Sequence, residues 1–304
     1  GGNPEVFPRT IQVYKEPGAT AWSPWVVRGG GSGAGTADVA PLALGGRAAR
    51  VQAFKDAYPP KSTGGKGAVV FRYDHGLTFI KDTILPLHQK YDIPFYVCLN
   101  SRKWDDPENN QVKPSEVKAW VDSGLVEIGN HTATHENANG ATAIYDTIVN
   151  GRRELEDQIG ITVHGFTVPG VQSPPQGEKF DGFAGGTLSQ YSDTYAGALI
   201  QSTHAVCSGT FGPTYRPLDG DHFIGTSHLT IESRTPDDVV PYIQGAVDKQ
   251  AAITLMAHPR TLGKPGYYSA ETLEAVLKTV RTKIDAGQLA RLTYYESHTA
   301  LLRK

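Results

Sequence analysis

Residues 125–135 read Leu125-Val126-Glu127-Ile128-Gly129-Asn130-His131-Thr132-Ala133-Thr134-His135. The first four form a short, branched, mostly apolar run, which predicts a buried strand. His131 and His135 follow at its C-terminal end, where the chain enters a helix or a tight turn. Histidines at i and i+4 share one face of a helical turn, so both ring nitrogens can converge on one cation.

Working outward, strands and helices alternate from Gly67 onward. Strands are predicted at 68–73, 94–99, 125–128, 162–168, 205–208, within 223–232, at 252–257 and at 290–295. Helices are predicted at 78–91, 114–123, 141–159, 188–202, 236–249 and 269–286. Pro114 opens one helix, Thr235-Pro236-Asp237-Asp238 opens another, and Gly160 and Gly287 close two more. Alternation of this kind argues for a parallel sheet. Seven or eight units predict an α/β fold, a distorted (β/α) barrel, closed or incomplete, spanning 67–304. Residues 1–66 read as an N-terminal extension packing on the barrel. They hold a candidate strand over 6–14, an aromatic cluster at Trp22 and Trp25, a linker-like run at 29–35 and a helix at 47–58 stopped by Pro59-Pro60. The Gly-rich run is not a phosphate loop, since no Lys-Ser/Thr follows it.

Bulk properties narrow the function. The 304 residues are 39% hydrophobic with a net charge of −2. That balance offers no electrostatic footprint for nucleic acid. No apolar run is long enough to span a bilayer, and no signal peptide is seen. The chain opens Gly1-Gly2 without Met, as at a processing boundary, so a missing leader says little about compartment. Cys98 and Cys207 lie in separate predicted strands and read as buried free thiols. His88 and His298 are expected on helix or loop surfaces, and His164 as a satisfied structural residue. His228 is a minor candidate for lining a pocket.

In barrels of this kind chemistry sits where strands end and loops begin. Asp74-His75-Gly76 ends the first barrel strand, His131 and His135 the third, Thr167-Val168-Pro169-Gly170 the fourth, and His258-Pro259 a late one. Asn100, Trp104 and Asp105 follow the second strand on the same rim. A Trp there can stack on a sugar ring or belong to a capping loop.

This order of motifs resembles the polysaccharide deacetylase family (the NodB-homology domain, carbohydrate esterase family 4) over about residues 67–297. His131-Thr132-Ala133-Thr134-His135 fits the family's His-Ser/Thr-x-x-His motif in full, and Asp74-His75-Gly76 fits Asp-Asp-Gly with one change. The resemblance implies metal-dependent hydrolysis of an N- or O-acetyl group on a polysaccharide. It implies Asp74 as general base, His258 as general acid and the Gly170 N–H as oxyanion donor. It makes His131 and His135 metal ligands, with His75 where the family has a ligating Asp. Three neutral imidazoles suit Zn²⁺ and leave an open position for water and substrate. Bound metal would acidify the attacking water and polarise the acetyl carbonyl. The family's third motif begins with Arg, where this chain has Thr167. Arg72, two residues before Asp74 and on the same face of a regular strand, is expected to steady the base instead. The nearest match to the family's Asp-Trp fourth motif is Ser192-Asp193-Thr194-Tyr195. These departures support an alternative, a catalytically silent carbohydrate-binding module, and the Gly-rich early segment permits another, a tail-fibre or adhesion module joined to a larger assembly through residues 1–66. The resemblance favours an extracellular, cell-surface or virion-associated setting.

Overall fold

A computed structural model of the protein describes residues 47–170, 180, 183, 188, 190–191, 194–209 and 214–303, and the backbone of Thr10–Gln12, Val26–Arg28 and Gly46. Trp22, Trp25, the Gly-rich run, Ser192-Asp193 and most of 174–186 lie outside the described residues. Thr10–Gln12 (β1) and Val26–Arg28 (β2) pair antiparallel. Gly46–Ala57 forms α1.

The barrel strands are Gly67–Asp74 (β3), Phe95–Leu99 (β4), Val126–Asn130 (β5), Gly165–Thr167 (β6), Val206–Ser208 (β7), Ile224–Thr226 (β8), Leu229–Thr230 (β9) and Ala252–Ala257 (β10). Their spatial order is β8-β7-β6-β5-β4-β3-β10-β9, and each neighbouring pair is parallel. The sheet curls into a partial barrel. Its two end strands, β8 and β9, are successive pieces of one stretch separated only by Ser227 and His228. That stretch leaves β7 and joins β10, carrying His228 across the gap between the edges. Leu289–Ala290 (β11) also pairs with β3.

Around the sheet lie a helix over 77–91 (α2), Pro114–Asp122 (α3), a helix over 141–159 (α4), Tyr195–Thr203 (α5), Pro236–Lys249 (α6), Ala270–Asp285 (α7) and Glu296–Thr299 (α8). Five-residue π turns at Ile80–Ile84 and Asp146–Asn150 interrupt α2 and α4. Thr235 caps α6 through a reciprocal box with Asp238, as its opening residues predict. The helix expected at 188–202 is broken: Gln190 and Tyr191 are helical, Thr194 is extended, and α5 starts where the Thr194 hydroxyl accepts the Gly197 N–H.

Side-chain alternation along β3 divides the core. Val69, Phe71 and Tyr73 join the apolar layer beneath α2, α6 and α7. Val70, Arg72 and Asp74 take the opposite face. Val70 meets Tyr96, Cys98, Phe223, Tyr294 and Tyr295 in an interior cluster that Phe54 of α1 completes. The strand expected at 290–295 stops at Ala290, because Tyr294 and Tyr295 turn inward as a plug. Tyr294 stacks on Tyr96 with centroids 4.3 Å apart, and the Tyr295 hydroxyl donates to the Ile128 carbonyl at 2.8 Å. Gly129 makes room for this plug: a Cβ there would sit 1.5 Å from the Tyr96 hydroxyl.

The surface placement expected for His88 and His298 is overturned. His88 is fully buried, with Nδ1 donating to the Ile93 carbonyl at 2.7 Å and Nε2 accepting from the Tyr73 hydroxyl at 2.9 Å. It lies one helical turn beyond Ile84 on the same apolar face. His298 is buried beside Tyr294 and hydrogen-bonds the His222 carbonyl at 2.8 Å. Cys98 and Cys207 are buried free thiols.

Candidate metal centre and its flanking groups

The C-terminal ends of β3, β5 and β10 bring together residues far apart in sequence. At β3 the chain turns through His75, whose φ of 47° is followed by 75° at Gly76. A side chain at Gly76 would press on Pro259, which follows His258, so the small residue lets the two strand ends approach.

Of the two continuations expected after β5, a helix or a tight turn, the chain takes the turn. Thr132 and His135 both adopt left-handed backbone, at φ 72° and 61°. Side chains replace the missing helical bonds. Asn130 Oδ1 accepts the Thr132 N–H, Thr132 Oγ1 accepts the His135 N–H, and Asn100 Nδ2 donates to the Thr132 carbonyl. The two imidazoles converge through this turn, not through helical spacing. Their ring centroids are 4.8 Å apart, and each lies within 6.1 Å of the His75 ring.

His75, His131 and His135 each offer a nitrogen within 4.8 Å of the others. Two have their remote nitrogens occupied: His75 Nδ1 is 2.8 Å from Glu108 Oε2, and His131 Nδ1 donates to the Thr167 carbonyl at 2.8 Å. The Nε2 of His131 is buried without a hydrogen-bond partner. A buried orphan nitrogen facing two more imidazoles is what a cation site requires. Burial holds His131 well below the ordinary imidazole range, overriding the Asp74 charge that would raise it; burial and the nearby His75 bring His135 to about 4. Both are therefore neutral at pH 7, the form that ligates. A second close set, Asp74, Cys98 and His131, suits a metal less well. Burial and the Asp74 charge push the Cys98 thiol well up, so it stays protonated, and Asp74 is already held by Arg72.

Asp74 is 3% exposed. Arg72 donates to both its oxygens at 2.7 Å, and the Cys98 thiol donates to Oδ1. Burial alone would raise this carboxyl, but the Arg72 charge and hydrogen bonds override it and hold Asp74 well below the usual range. Arg72 also reaches His228 Nδ1 at 3.3 Å, which burial and the guanidinium drive down to about 3, leaving it a neutral acceptor.

His258 lies opposite, with Nε2 3.9 Å from Asp74 Oδ2. Its Nδ1 and backbone N–H both meet Glu232 Oε1, the latter at 2.6 Å. Burial would lower His258, but the Glu232 hydrogen bond and the Asp74 charge leave it raised. A cavity of about 200 Å³ opens beside the imidazoles, lined by His75, His135, Asn100, Lys103, Glu136 and Arg260 among others.

Five residues singled out in the sequence thus meet here: Asp74, His75, His131, His135 and His258, with Arg72 behind Asp74. Gly170 is exposed beyond β6 with open space around its Cα. Trp104 does not line this cavity. It packs against the main core and its indole N–H donates to Gln158 at 2.7 Å. Sequence reasoning missed Glu108 and Glu232, which lie in loops without periodicity. The only signal was position, since Glu232 follows β9 on the rim that carries His258.

The fold and this cluster define a partial (β/α) barrel with a candidate three-histidine metal centre at its strand ends. Residues 61–176 match the family model described as polysaccharide deacetylase, in agreement with the motif resemblance. The match takes in β3 to β6 and the histidine pair, and ends well before His258. No curated protein matches the chain in sequence. Among solved structures, the chain is similar to BA3943, a CE4 family pseudoenzyme from Bacillus anthracis, at 19% identity and a TM-score of 0.41, covering 73% of this chain and 62% of that one. It is similar to a family 4 acetyl xylan esterase from Clostridium thermocellum in complex with a cobalt ion (16%, TM-score 0.45, covering 76% and 90%). It is also similar to the Bc1960 peptidoglycan N-acetylglucosamine deacetylase (14%, TM-score 0.48, covering 83% and 99%). The chain spans less than two thirds of the pseudoenzyme's length.

Proposed function

We propose that the protein is a metal-dependent hydrolase that removes N- or O-linked acetyl groups from a polysaccharide. The observation that carries this reading is the convergence of three imidazoles between two oppositely tuned groups, Asp74 held low by Arg72 and His258 raised by its hydrogen bond to Glu232. His75, His131 and His135 would hold a divalent cation, zinc by the preference of an all-imidazole donor set, which would supply Lewis-acid polarisation of the acetyl carbonyl and a lowered pKa of water.

The protein's own groups then divide the proton work. Asp74 Oδ2, the oxygen turned towards His258, accepts the proton of the attacking water. Arg72 keeps that carboxylate charged and fixes its plane. Water oxygen bonds to the acetyl carbon, the bond to sugar nitrogen or oxygen breaks, and His258 Nε2 gives its proton to the departing amine or alkoxide. Glu232 holds Nδ1–H, so the proton given away is the one on the cavity side. The Gly170 N–H serves the oxyanion from the β6 rim. A polysaccharide substrate assigns the work to the cell surface or beyond.

The test is acetate release from a panel of acetylated glycans and a chromogenic acetyl ester, with and without chelator. Chelation should abolish turnover and added zinc restore it, and Asp74→Asn should lower kcat by about 100-fold or more. Saturable glycan binding with no acetate released would replace this reading by a catalytically silent carbohydrate-binding module.

A further inference from the structure

Glu108 lies in the loop between β4 and α3, and that loop is tied to the start of α2. The Thr78 N–H donates to the Glu108 carbonyl at 2.8 Å, and the Leu77 N–H donates to Asn109 Oδ1 at 2.9 Å. The carboxylate is three-quarters buried, with Oε2 2.8 Å from His75 Nδ1 and Oε1 3.6 Å from the Arg260 guanidinium. His75 itself sits in left-handed backbone, which favours few residues beyond Gly and Asn.

Three neutral imidazoles leave the charge of a divalent cation uncompensated. Asp74 does not offset it freely, since both of its oxygens are engaged by Arg72. Glu108 is a carboxylate with a different geometry: it touches a candidate ligand on the side away from the cluster. A carboxylate that accepts Nδ1–H forces the tautomer with a free Nε2, orients the ring and makes that nitrogen a better donor.

We propose that Glu108 is a positioning residue for the metal: it locks His75 with Nε2 towards His131 and His135 and supplies the negative charge that the three ligands lack. The inference rests on the reading of His75 as a ligand. Arg260, ion-paired to the other oxygen, keeps the carboxylate turned in this direction.

The test is zinc affinity of the intact protein by competition with a chromophoric chelator, for the wild type, Glu108→Gln, Glu108→Ala, His75→Asp and the His75→Asp/Glu108→Gln double variant. Glu108→Ala should weaken zinc binding by about 10–100-fold. Glu108→Gln, which keeps an acceptor but loses the charge, should fall between it and the wild type. An Asp at position 75 has no N–H to give, so in that background Glu108→Gln should cost no affinity. A carboxylate that only staples the loop would lower the melting temperature and leave zinc affinity in both Glu108 variants unchanged, which would overturn the inference. A wild type that binds no zinc would overturn both this inference and the metal reading beneath it.

Discussion

Arg72 and Asp74 are two residues apart on one strand, and their pairing shows how a strand can supply both the proposed base and its support. The period of two puts both side chains on the interior face of β3. Two hydrogen bonds of 2.7 Å then fix the carboxylate. This places the guanidinium on β3 itself, leaving β6 free to hold Thr167, whose carbonyl orients His131. Arg72→Ala would leave a buried carboxylate uncompensated, and breaking such a pair costs about 3–5 kcal/mol. Asp74 would rise with burial unopposed, so the acidic limb of the pH–rate profile should move to higher pH and kcat at neutral pH should fall by about 100-fold. Arg72→Lys keeps the charge but loses the two-pronged geometry, so it should retain more stability than activity. Thermal melts beside steady-state kinetics of both variants check this, and an unshifted profile in Arg72→Ala would detach Arg72 from the base.

At the level of elements, β5 carries the greatest constraint, because its end shapes the histidine cluster and its middle admits the aromatic plug. Gly129→Ala would drive a methyl into the Tyr96 ring, which is pinned by its stack on Tyr294. Overpacking of this kind costs about 1–3 kcal/mol. Tyr96→Ala should relieve part of it, so denaturant unfolding of the four members of the cycle should be strongly non-additive. Strands β3, β4, β5 and β10 were legible because branched and aromatic runs bounded by turn residues have few other readings in a doubly covered sheet. The final strand was misread because apolar aromatics that plug an interior look the same in sequence as those of a strand. The convergence of His131 and His135 was legible, but its cause was not. Spacing of four predicts a helical turn, whereas Asn130, Thr132 and Asn100 build an irregular one whose bonds no periodicity reveals. Glu108 and Glu232 stayed hidden for the same reason, since loop residues acquire partners only through the tertiary path.

Across the whole molecule, the partial barrel carries the histidine cluster at its strand-end rim and fills its other end with protein. There α1, β5 and the turn before α8 meet around Glu127, which is 7% exposed. One carboxylate oxygen accepts the Tyr295 N–H at 2.8 Å, and the other is buried without a partner. Burial pushes this carboxyl up to about 8, with the Glu296 charge adding to the shift and the nearby Thr293 hydroxyl and the Tyr295 N–H opposing it. The folded protein therefore holds a proton that the unfolded chain releases near the ordinary value of 4.5. A folded pKa above the unfolded one gives a contribution that is complete below pH 4.5 and is lost as pH rises towards 8. Glu127→Gln removes the titration while keeping an acceptor for Tyr295 and placing an amide at the orphan position. The variant and the wild type should melt at similar temperatures near pH 4.5, and the variant should gain steadily up to about pH 8, with no further gain above it. Calorimetry of both proteins across that range decides the matter, because a constant difference at every pH would mean that Glu127 ionises alike in the folded and unfolded chains.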